Sequence, residues 1–104
     1  MAAWIDFQAH TPDPEYAGRV IAMVCQSTGL SRYALLGPRK TNERAFARFA
    51  VMWALRSRGY TLRAIARCLD GFDHSTVSNG VRRAGELIVE KPEFAKLCAQ
   101  LLSA

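Results

Sequence analysis

The sequence predicts an all-α fold: a compact domain of five to six helices containing a helix-turn-helix. Three observations predict it. Helix-capping residues and helix breakers recur along the chain and cut it into helix-length pieces. Within each piece, apolar residues recur at helical spacing. No stretch alternates apolar and polar residues between hairpin turns, so no sheet is expected. The chain has 104 residues, 50% of them apolar, which suits one domain with a real core.

Residues 1–13 read as an N-terminal extension, with Trp4, Ile5 and Phe7 as its apolar content, and residues 14–104 as the helical domain. A first helix is predicted over 14–28. Asp13 can cap it, Pro14 suits its first position, and Gly29 ends it. Its apolar stripe is Ala17, Ile21, Val24 and Cys25. Ser31 caps a short helix through Leu36, and Gly37-Pro38 breaks the chain. Thr41 caps a long helix to about Arg58, with Glu43 in its first turn and a wide apolar arc of Phe46, Phe49, Ala50, Met52, Trp53 and Leu55. Gly59 stops it. Thr61 caps a fourth, short helix with Leu62, Ile65, Ala66 and Leu69 at i, i+3, i+4 and i+7. After the Asp70-Gly71 turn, a fifth helix opens near Asp73 and runs to about Glu90, with Val77, Val81, Ala84 and Ile88 inward. Pro92 starts the last helix, striped by Phe94, Leu97, Cys98 and Leu101.

The net charge of +5 points to a polyanionic partner, and its distribution says more than its size. From Arg39 to Arg83 there are ten basic and three acidic residues, a balance of +7. The rest of the chain holds four basic and six acidic residues. The three cysteines are far apart, among apolar neighbours, and form no C-x-x-C pair. They read as buried, reduced thiols rather than metal ligands. No apolar run is long enough for a membrane span, and the acidic start is not a secretory signal. A cytoplasmic, nucleoid-associated location is expected, with no membrane partner.

The segment 61–83, TLRAIARCLDGFDHSTVSNGVRR, follows the helix-turn-helix plan, with the whole motif spanning about 61–90. In that plan the first helix crosses the phosphate backbone and the start of the second enters the major groove. The side of the second helix opposite its apolar stripe offers His74, Ser75, Ser78, Asn79 and Arg82, which have the donors and acceptors that base edges need.

Asp73-His74-Ser75-Thr76-Val77 resembles the Asp-His-Thr-Thr-Val signature of the C-terminal DNA-binding domain of DnaA, the bacterial replication initiator. Leu36 followed by Arg39-Lys40, then Ala47-Arg48 and Met52, is similar to that family's basic loop and long helix. Thr61-Leu62 followed by Ile65 is similar to its Ser-Leu-Pro-Glu-Ile stretch. The resemblance implies a helical domain that binds short duplex boxes. It implies base contacts from Asp73, His74 and Ser75, and a place toward the backbone for Thr76. It puts Arg39 or Lys40 in the minor groove and Arg48 near phosphate. Thr61 is placed with the backbone contacts. The family carries Gly-Gly-Arg before the aspartate where this chain has Asp70-Gly71-Phe72, so Phe72 stands in place of a DNA-contacting arginine. Ser75 replaces a threonine, which removes a methyl group from the reading surface.

The function expected is sequence-specific binding of double-stranded DNA, in replication or in transcription regulation. No G-x-x-x-x-G-K-[ST] phosphate loop occurs, so no nucleotide and no ATPase activity are expected of this chain. His10 and His74 are the only histidines, and no triad-like grouping is visible, so neither catalysis nor a cofactor is expected. The competing reading is a protein-interaction module reusing the same helical fold, with Phe72 and Trp4 as apolar contacts and the N-terminal extension as the place for a protein partner.

Overall fold

A computed structural model describes residues 13–37, 41–69 and 72–104. Trp4, Ile5, Phe7 and the rest of the N-terminal extension before Asp13 lie outside the described residues, as do the basic loop residues Arg39 and Lys40. Among the described residues there are six helices and no strand. They are α1 (Pro14–Thr28), α2 (Arg32–Leu36), α3 (Asn42–Ser57), α4 (Leu62–Cys68), α5 (His74–Glu90) and α6 (Pro92–Leu101).

Local chemistry sets these boundaries. Helix starts leave backbone N–H groups without partners, and a short polar side chain can accept from one of them. Asp13 accepts from Glu15 N at 2.9 Å, Ser31 from Ala34 N at 3.0 Å, and Thr41 from Arg44 N at 3.2 Å. Gly29 ends α1 in the left-handed region, at φ 77°, where its N–H reaches Cys25 O. Gly59 turns the chain after α3 at φ 91°.

The long helix α3 is the centre of the domain and touches all five others. Its buried face is Ala47, Ala50, Val51, Met52, Ala54 and Leu55, joined by one charged residue, Arg48. Phe46, Phe49 and Trp53, expected on the core face, are half-buried and flank it. Small residues on α3 let neighbouring helices approach closely, while larger side chains from those neighbours fill the gaps: Tyr16, Val20 and Val24 of α1, Ile65 of α4, Leu87 of α5 and Leu101 of α6. The two ends of the domain are tied together. Tyr16 Oη donates to Leu101 O at 3.0 Å, and Tyr60 Oη donates to Asp13 O. The Arg58 guanidinium lies 4.2 Å from the Tyr16 ring centroid.

The inward face of α5 differs from the one its hydrophobicity predicts. Val77, Gly80, Ala84 and Leu87 are buried, while Val81 and Ile88 are half-buried at its edges. Gly80 carries no hydrophobic signal, yet α5 approaches α3 there. The thiols are free: Cys98 is buried, and Cys25 and Cys68 are half-buried.

Candidate nucleic-acid interface

The candidate interface is built on α4 and the first turns of α5; the Asp70-Gly71 turn expected between them lies outside the described residues. Thr61 caps α4 by accepting from Ala64 N at 3.1 Å, which leaves its own hydroxyl hydrogen available at the exposed surface. Burial of Ala64, Ile65, Ala66 and Leu69 fixes α4 against the core. Burial of Val77, Gly80 and Ala84 fixes the rotation of α5. These two constraints decide which side of α5 meets solvent.

That side carries the residues expected to read bases. His74, Ser75, Ser78, Asn79 and Arg82 are all exposed and fall at i, i+1, i+4, i+5 and i+8, one face of a helix. Asp73 is the N-cap of α5 rather than part of its first turn. Its Oδ1 accepts from Ser75 N at 3.1 Å and lies 3.5 Å from His74 Nδ1. One carboxylate oxygen is thus engaged in capping, and Oδ2 remains to accept from a ligand. His74 has 60% of its side chain exposed. Arg82 pairs with Glu86 at 3.3 Å across one turn, an exposed contact weak enough to be exchanged for a phosphate or a base. Thr76 is exposed on the flank facing α3, in a cleft shared with Gly37, Ala45, Phe49 and Phe72. Gly37, which leads into the basic stretch, therefore lies beside the start of α5.

Arg48 departs from its expected place near phosphate. It is 6% exposed. Its Nε donates to Leu35 O at 2.6 Å and its Nη2 donates to Gly37 O. Its guanidinium also lies 5.5 Å from the Phe72 ring centroid. The physical reason is the end of α2, whose last carbonyls have no helical partners and take donors from Arg48 instead. Burial and the neighbouring Arg44 lower the Arg48 pKa from its ordinary value. Phe72 is half-buried against the core.

Two exposed cations outside the sequence-predicted set, Arg63 and Arg67 of α4, stand beside the start of α5. They line one cleft with Ala66, Phe72, Asp73 and His74. Their signal was in the sequence: they fall at i and i+4, off the apolar stripe of the helix that crosses the backbone in this plan.

A capped short helix followed closely in the chain by a second helix with a polar outer face defines a helix-turn-helix DNA-binding domain. The family of the bacterial DnaA protein helix-turn-helix matches residues 17–84, more than half of the chain, and the chain belongs to that family. A comparison with curated proteins finds no matching relative. No helix among the described residues is long and apolar enough to cross a membrane.

Proposed function

We propose that this chain reads a short duplex DNA box, with the start of α5 in the major groove, as a small regulator or initiator-box binder that needs no nucleotide. The observation that carries this reading is the polarity of α5. Val77, Gly80 and Ala84 are buried against the core, while His74, Ser75, Ser78 and Asn79 stand exposed on the other side. Hydroxyl, amide and imidazole groups on the first turns of such a helix suit base edges. The charge balance of +7 between Arg39 and Arg83 supplies the sequence-independent attraction. Phe72 supports this reading over a protein-interaction module, because its ring packs inward beneath Arg48. We assign the chain no catalytic role.

Selection of bound duplexes from a random pool at moderate salt tests the proposal. A discrete enriched box is the expected result. Recovery of unenriched sequence would reject base reading and favour the interaction module.

A further inference from the structure

We propose that Arg63 and Arg67 form a phosphate clamp on the α4 side of the reading helix, gripping the DNA strand that borders the groove α5 enters. The inference rests on the duplex-binding reading above.

Both arginines are exposed and stand one helical turn apart on the same side of α4. Neither has an ion pair, a hydrogen bond from its side chain or a ring contact among the described residues, whereas Arg19, Arg82 and Arg83 each hold a carboxylate. Like charges so spaced work against an isolated helix. An anion bound between them would relieve that repulsion.

The cleft they line is shared with Phe72, Asp73 and His74, so it opens directly beside the start of α5. Ala66, a small buried residue, also lines it. Among the described residues one carboxylate, Asp73, lines it too, but its Oδ1 is engaged by Ser75 N, and two cations line the same cleft. Position 72 supplies no cation here, since its ring lies against Arg48. The positive charge of this cleft therefore comes from α4. Guanidinium forks match phosphate oxygens in pairs, which suits two arginines to successive phosphates of one strand.

The test uses the full chain, the selected duplex and an unrelated duplex of equal length, titrated by fluorescence anisotropy at several salt concentrations. Each phosphate contact contributes about 0.9 to the slope of log K against log salt. The Arg63→Gln/Arg67→Gln variant should lose nearly two units of slope, and each single variant about one. Affinity should fall by a similar factor on both duplexes, which leaves their ratio intact. The Arg63→Lys/Arg67→Lys variant should keep the slope. An unchanged slope in the glutamine variants overturns the clamp, and so does a collapse of the ratio between duplexes. Failure of the underlying reading looks different: the unaltered protein would then show no preference between the two duplexes.

Discussion

The guanidinium of Arg48 lies 5.5 Å from the ring centroid of Phe72, and the same group donates to the carbonyls of Leu35 and Gly37. One buried cation thus joins the end of α2, the long helix α3 and the turn before the reading helix. Through Gly37 it fixes where the basic stretch begins, and through Phe72 it holds the residue that precedes the cap of α5.

The first prediction concerns Arg48→Ala. The change leaves two carbonyls without their donor and opens space beside Phe72. Charge-assisted hydrogen bonds contribute about 1.5–3 kcal/mol each, so a loss of about 3 kcal/mol is expected. At about 4–8 °C per kcal/mol for a domain of this size, the melting temperature should fall by more than about 10 °C. The salt dependence of DNA binding should be unchanged below the melting point. Unchanged melting with a slope smaller by about one unit would return Arg48 to the phosphate surface.

Phe72→Arg gives a second prediction, opposite in sign to the one its sequence position invites. A cation at 72 would stand in place of the DNA-contacting arginine of related domains. In the structure it would also sit against buried Arg48 from a half-buried position, where the two like charges repel. The variant should be less stable by about 1–3 kcal/mol. A gain in DNA affinity with unchanged melting would show that the turn can swing its residue outward.

Much of the fold was legible because local chemistry decides it. Asp13-Pro14, Ser31, Thr41, Thr61 and Asp73 each announce a helix start, and each cap is present. The outer face of α5 was legible for the same reason, since it is the complement of an apolar stripe. Arg48 and Gly80 were not. Periodicity records which residues are apolar; it does not record that the end of α2 needs a buried donor, or that two helices meet where a side chain is missing. Arg63 and Arg67 lie off the apolar stripe of α4, but only the fold brings them into one cleft with His74.

The third prediction concerns that meeting point. A Cβ added at Gly80 would run into Met52 Sδ and stand 3.2 Å from Phe49 Cδ1. Alanine is the better helix former by about 1 kcal/mol, whereas overfilling a packed core costs about 1–3 kcal/mol. The Met52 thioether and the Phe49 ring must both shift to admit the methyl group, and packing should win. Gly80→Ala should melt several degrees lower, and Gly80→Val lower still. An equal or higher melting temperature for Gly80→Ala would show that Met52 repacks.

The fourth prediction is a loss of stability in alkali. Burial pushes the Cys98 thiol up to about 12 and raises Cys68, Tyr16 and Tyr60 above their ordinary values. The fold therefore holds these protons more tightly than the unfolded chain does. Their contribution is complete below the unfolded values, 9.0 for the thiols and 10.0 for the phenols. It declines as pH rises from there toward the folded values. Urea midpoints measured under reducing conditions should be level from pH 7 to about 8.5 and fall steadily above pH 9. Cys98→Ala should soften that fall. A flat profile to pH 11 would mean that the thiol and phenol sites open to solvent in the native state.

The last prediction concerns His74. It is the first residue of α5, and 60% of its side chain is exposed. Val77 and Gly80, which set the rotation of the helix, lie on the other side. Removing the imidazole should therefore leave the fold intact, and His74→Ala should melt within about 0.5 kcal/mol of the original protein. The cap is kept as well, because it comes from Asp73 accepting the Ser75 N–H. DNA binding should respond differently. A side chain that pairs with a base edge contributes about 1–3 kcal/mol to discrimination, so the variant should bind the selected box roughly tenfold to a hundredfold more weakly. Its affinity for unrelated duplex should change little, because attraction to phosphate is indifferent to sequence. Repeating the selection with the variant should also relax the preference at one or two adjacent positions of the box while the rest is retained. An equal loss on every duplex would mean that His74 meets the backbone, and the reading register would then start further along α5, at Ser78 and Asn79.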